Sequence, residues 1–180
     1  MRRVAILGGS FNPPHAGHVA AAKAVLRAGL ADEVWLMPCW RQEGKRLAPF
    51  GARMGMVRLV CRGIKGVKAS DFEKKHNRTG KTIETVRALR RTYPRTCFSW
   101  VIGSDLLRTL DSWDEAAALK KAVDFIVVRR GTMPAKKLPA NFAVLHVKTP
   151  DISSTEIRRA LASGVSARRA VDCASRVRAY

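Results

Sequence analysis

Short runs rich in Val, Ile, Phe and Trp alternate along the chain with segments whose apolar residues recur at helical spacing. The strand-like runs fall at residues 4–7, 33–37, 67–70, 97–102, 125–128 and 143–147. Between the first two, Val19, Ala22, Val25, Leu26 and Leu30 share one helical face, and Gly29 supplies a stop. A helix is predicted over 82–91, with Ile83, Val86 and Leu89 on one face and Pro94 beyond its end. Further helices are predicted over 114–122, 154–161 and 167–177. Residues 38–51 carry no period and hold Gly44, Lys45, Arg46 and Pro49, which predicts a loop at a strand end, where loops often touch substrate. Alternation of this kind predicts a parallel α/β sheet with its ligands at the carboxyl ends of the strands. No repeat, low-complexity tract or linker divides residues 1–180, so one domain is expected.

Composition narrows the class. With 47% hydrophobic and 27% charged residues over 180 positions, the chain is globular and long enough for one sheet covered by helices. No apolar run approaches the roughly 20 residues that span a bilayer, so no membrane partner is expected. The apolar run at 4–7 is too short for a signal-peptide core and fits a first strand. Cys39, Cys61, Cys97 and Cys173 are scattered without a C-x-x-C pair, which argues against a zinc site or disulfide framework and for a reducing, cytoplasmic setting. The net charge of +20 suits anionic partners, nucleotides among them. Lys and Arg are spread along the whole chain, however, and 7% aromatic residues offer few stacking platforms, so a nucleic-acid partner is not expected. Oligomeric state is left open, a homo-oligomer included.

The richest stretch is Gly8-Gly9-Ser10-Phe11-Asn12-Pro13-Pro14-His15-Ala16-Gly17-His18, directly after the first strand and opening the first helix. Glycines there let the backbone approach a bulky ligand, and Pro13-Pro14 stiffens the turn. Gly17 keeps the helix start open, so its amides can face an anion at the positive end of the dipole. His15 and His18, three apart, can both donate an N–H to one phosphate. An isolated H-x-x-H is more simply two surface histidines; here strand, glycines, prolines and helix start coincide. The second stretch is Ile152-Ser153-Ser154-Thr155-Glu156-Ile157-Arg158-Arg159. Ser153 and Glu156 form a capping box, which starts a helix whether or not anything binds. The helix-start N–H groups, two further hydroxyls and Arg158 one turn in also suit a triphosphate.

The first string resembles the signature of bacterial nicotinate-mononucleotide adenylyltransferases, within the wider nucleotidylyltransferase superfamily whose motif is H-x-G-H. The bare H-x-G-H is shared with phosphopantetheine adenylyltransferases, cytidylyltransferases and class I aminoacyl-tRNA synthetases; the Asn-Pro-Pro extension is more specific. The resemblance implies a Rossmann-like three-layer α/β/α fold with a mainly parallel sheet, its C-terminal helices from about residue 151 carrying the second motif. It implies adenylyl transfer from ATP to nicotinate mononucleotide, giving nicotinate adenine dinucleotide and pyrophosphate in NAD biosynthesis, with Mg²⁺ carried mainly on the ATP phosphates and no protein metal site. His15, His18 and Arg158 are implied as catalytic. Gly8, Gly9, Ser10, Phe11, Gly103, Asp105, Ser154 and Thr155 would bind ATP. Asn12, Lys45, Thr82 and Trp113 would bind the mononucleotide, Trp113 by stacking on the pyridine ring.

Two departures fall on the pyridine side. The family's P-x-x-P-P-H-K loop is here Pro38-Cys39-Trp40-Arg41-Gln42-Glu43-Gly44-Lys45, with Lys45 standing in for its Lys, and the Tyr of S-Y-T is Lys81. They leave a nicotinamide-mononucleotide or dual specificity open. A phosphopantetheine adenylyltransferase and a non-catalytic nucleotide- or RNA-binding protein are the further alternatives. The nucleophile in this reaction is a phosphate already ionised near neutral pH, so positioning and charge neutralisation suffice without a general base.

Overall fold

The computed structural model describes residues 1–42, 44–77, 79–129, 138–147 and 153–163. The first strand, β1 (Arg2–Gly9), carries Val4, Ala5 and Ile6 with no exposed surface. It leads through the glycine–proline turn into α1 (Ala16–Arg27). The helix ends as Gly29 predicts: Gly29, at φ +65°, donates to Leu26 O at 3.0 Å and Leu30 donates to Val25 O at 3.2 Å, satisfying two terminal carbonyls.

Then follow β2 (Glu33–Pro38), α2 (Phe50–Cys61), β3 (Val67–Ala69), α3 (Phe72–His76), α4 (Thr82–Thr92) and β4 (Thr96–Gly103). Two 3₁₀ turns, Ser104–Arg108 and Leu110–Ser112, lead to α5 (Ala116–Ala122), β5 (Asp124–Arg129), β6 (Phe142–His146) and α6 (Ser154–Ala162).

All six strands run parallel, in the order β3-β2-β1-β4-β5-β6. Alternate strand residues feed two cores. Val4, Ile6, Trp100, Ile102 and Phe125 pack with Phe72 of α3, Ile83, Val86 and Leu89 of α4 and Leu119 of α5. Ala5, Leu7, Leu36, Val101 and Ile126 pack on the other face with Ala21, Ala22 and Val25 of α1 and Val57 and Cys61 of α2. A three-layer α/β/α sandwich results, and β1 lies between β2 and β4 where the strand order reverses. In such sheets the crevice at the carboxyl ends of those strands receives the ligand.

The six strand expectations and the helices near 19–30, 82–91, 114–122 and 154–161 correspond to these elements within a few residues. The helix expected over 167–177 and Cys173 lie outside the described residues, as does Ile152. Two corrections stand out. The expected loop 38–51 is shorter: Pro38 closes β2, and α2 begins at Phe50. The expected helix start at 114 moves to Ala116, because Glu115 is left-handed at φ +48° and Asp114 pairs with Lys81. Among the described residues, no helix is long and apolar enough to cross a membrane.

Candidate active site

Gly8 and Gly9 end β1 beside Pro38 of β2 and the end of β4, so three strand termini meet around the first motif. The Cys39 N–H donates to Gly9 O at 2.9 Å, tying the chain beyond β2 to that end. Gly8 has a reason that sequence reading did not supply: a Cβ there would stand 2.9 Å from the buried Trp100 ring on β4. A Cβ at Gly9 would touch the Phe11 ring at an ordinary 3.6 Å. Phe11, at φ +45°, turns the chain sharply; its ring is buried in the α1-side core and lies 4.8 Å, centroid to centroid, from the ring of His18.

His15 is the N-cap of α1. Its Nδ1 accepts from Gly17 N at 3.2 Å, and its own N–H donates to His18 Nδ1 at 3.1 Å. Two imidazoles thus form a reciprocal cap, their centroids 3.8 Å apart. With both Nδ1 atoms accepting, the neutral tautomer of each ring carries its proton on Nε2. His15 is buried and His18 half-buried.

The second motif docks on the first. Ser153 caps α6: its Oγ accepts from Glu156 N at 3.2 Å, while the Glu156 carboxylate accepts from Ser153 N at 2.7 Å. The Ser153 hydroxyl and then its N–H hold the Glu156 carboxyl below its usual range. Ser154 Oγ donates to Pro13 O at 2.8 Å, and Arg158 Nη1 donates to Asn12 O at 2.7 Å. Arg158 Nη2 also donates to Thr155 Oγ1 at 3.2 Å. These bonds use two of the five guanidinium N–H donors. Residues 141 and 146 positions apart in sequence are thereby joined, and Arg158 comes to the turn that leads to His15 and, in the first turn of α1, His18.

The other expected residues lie on the following elements. Gly103 ends β4, where a Cβ would collide with the carboxylate of Asp105, which folds back over it from the 3₁₀ turn. Asn12 is buried, its Oδ1 accepting from Ala48 N at 3.4 Å. Lys45 is exposed on the segment before α2. Thr82 opens α4 and Trp113 follows the second 3₁₀ turn, half-buried against the α4–α5 core. Lys81 Nζ and Asp114 Oδ1, 2.9 Å apart, join the neighbours of these two residues.

Sequence reading missed three buried polar residues: Arg53, Glu73 and Asn77. Asn77 Nδ2 donates to Lys81 O at 2.8 Å and Thr85 Oγ1 at 2.7 Å, while its Oδ1 accepts from the N–H groups of Thr79 and Gly80, shaping the turn that leads to Thr82. For Arg53 the available signal was an arginine at a position of the apolar face Met54, Val57 and Cys61.

A cytidylyltransferase-like family model matches residues 6–160. A Myxococcus xanthus protein described as a probable nicotinate-nucleotide adenylyltransferase is 38% identical over 164 residues, 90% of this chain and 83% of its own. A protein of the same description from Anaeromyxobacter dehalogenans is 38% identical over 172 residues, 93% of this chain and 88% of its own. The chain belongs to the nicotinate-nucleotide adenylyltransferase family. The fold agrees: a solved Plasmodium falciparum nicotinic acid mononucleotide adenylyltransferase, complexed with NaAD, superposes with a TM-score of 0.79 at 22% identity, covering 96% of this chain and 94% of that one.

Proposed function

We propose that this protein transfers the adenylyl group of ATP to nicotinate mononucleotide, forming nicotinate adenine dinucleotide and pyrophosphate. A phosphate oxygen of the mononucleotide attacks the α-phosphorus of ATP, and the bond from that phosphorus to the bridging oxygen of the β-phosphate breaks. The observation that carries the reading is the docking of Arg158 on Asn12, which puts a guanidinium on the turn that leads to His15 and, in the first turn of α1, His18.

In this reading the Nε2–H groups of His15 and His18 donate to ATP phosphate oxygens, with His18 nearest the α-phosphate. Arg158, with Ser154 and Thr155 at the start of α6, holds the β- and γ-phosphates and then the departing pyrophosphate. Gly8, Gly9, Ser10, Phe11, Gly103 and Asp105 line the nucleotide side of the crevice. Asn12, Lys45, Thr82 and Trp113 take the mononucleotide, with the indole against the pyridine ring. Mg²⁺ enters as part of the ATP substrate, held by phosphate oxygens and water, in keeping with its slow dehydration. The phosphate nucleophile is ionised already, so these groups act by positioning and by neutralising charge that grows on the leaving group.

Pyrophosphate release with nicotinate and with nicotinamide mononucleotide tests the reading. A higher kcat/KM on the nicotinate form is expected; a preference for the nicotinamide form would reassign the substrate, and no release with either would refute the activity.

A further inference from the structure

Arg53 heads the fully buried side chains, at 1% exposure, and it occupies a position on α2 where the helix otherwise buries Met54, Val57 and Cys61. A guanidinium there is retained only if its donors are satisfied. Arg53 Nε donates to Ala48 O at 2.9 Å, and Nη1 donates to Ser10 O at 2.8 Å with Cys39 Sγ 4.0 Å away. These partners belong to three segments: the turn after β1, the chain leaving β2, and the approach to α2. Glu73, 5% exposed on α3, completes the arrangement by accepting the Trp40 N–H at 2.7 Å, and the Arg53 charge acts on its carboxyl. Ala48 in turn donates to Asn12, whose carbonyl carries Arg158. Residue by residue, these bonds connect Arg53 through Ala48 and Asn12 to the guanidinium on α6.

We propose that Arg53 is a positioning residue for adenylyl transfer: its planar fork, with Glu73 anchoring Trp40, clasps the chain at Cys39 and at Ala48 onto the turn that leads to His15 and, in the first turn of α1, His18. The inference rests on the reading of the site given above. It requires an arginine, because the bonds to Ala48 O and Ser10 O leave from two different nitrogens of one rigid plane, and a lysine ammonium offers a single nitrogen.

Arg53→Lys tests it, with Val57→Ala, a buried apolar truncation on the same helix, as the comparison. Per folded molecule, Arg53→Lys is expected to lose about tenfold to a hundredfold in kcat/KM, mostly in kcat, since small misplacements far from the chemistry cost rates of that order. Val57→Ala is expected to lower the melting temperature and leave kcat unchanged. Wild-type kcat in Arg53→Lys, or equal kcat losses in the two variants at equal loss of melting temperature, would overturn the proposal. Amide exchange on the wild-type chain needs neither turnover nor a variant: the Trp40 amide is expected to be strongly protected although it lies outside any helix or strand. Exchange at the rate of a free loop would overturn the clasp. Failure of the wild-type chain to release pyrophosphate, with the Trp40 amide protected, would strike the functional reading and leave the clasp standing.

Discussion

At the scale of single residues, two carboxyls make opposite contributions to stability. Burial pushes the Glu73 carboxyl up to about 7 from an ordinary 4.5, against the Trp40 N–H and the Arg53 charge, which favour its ionised form. The folded chain therefore keeps a proton that the unfolded chain releases above about pH 4.5, and stability falls as pH rises through that window to about 7. The effect is on the order of 3 kcal/mol. Glu73→Gln should remove it, so denaturant melts at pH 5 and pH 8 should differ for the wild type and nearly coincide for the variant. Parallel behaviour of the two proteins would sink that assignment. Glu33 works the other way. Burial raises its pKa, but Lys68, Trp35 and Arg2 donate to the carboxylate and bring it to about 2. Its contribution is present above about pH 4.5 and is lost as pH falls toward 2.

At the scale of elements, α6 is held by its cap and by two side-chain bonds to the first motif. Ser153→Ala should cost about 1 kcal/mol, because the Glu156 N–H loses its acceptor. The cost should appear as roughly fivefold faster amide exchange within α6, with no change in β1 or β4. Unchanged exchange in α6 would show that tertiary contacts, not the cap, hold the helix. This cap was readable from S-x-x-E alone, as was the end of α1 at Gly29, because both depend on neighbours in sequence. The strands were readable because Val, Ile and Trp cluster in short runs. Helix α2 was not. Its N-cap is Pro49 with no side-chain cap bond, Gly51 and Gly55 interrupt its propensity, and its buried face includes a charged Arg53. The contacts of Arg158 with Asn12 and of Arg53 with Ser10 were equally hidden, since nothing local encodes a bond across 146 or 43 residues. Gly8 shows the same limit: the ring that excludes a side chain there belongs to a neighbouring strand.

At the scale of the whole molecule, the parallel sheet brings the ends of β1, β2 and β4 together, and the chain as a whole carries a net charge of +20. Both substrates are anions, so the field of that charge should draw them in. Raising ionic strength from about 0.05 to 0.5 M shortens the screening length severalfold, and KM for ATP should rise by several-fold while kcat holds. A salt-independent KM would assign the charge to some purpose other than substrate capture. The central claim is that the imidazoles of His15 and His18 and the Arg158 guanidinium act on one polyphosphate. The direct measurement is pyrophosphate release from ATP and nicotinate mononucleotide by His18→Ala, Arg158→Ala and the double variant, each checked for folding. Single losses on the order of 10²–10³ in kcat, with a double loss smaller than their product, are predicted. Near-wild-type turnover by a folded His18→Ala variant, or losses that simply multiply, would contradict it.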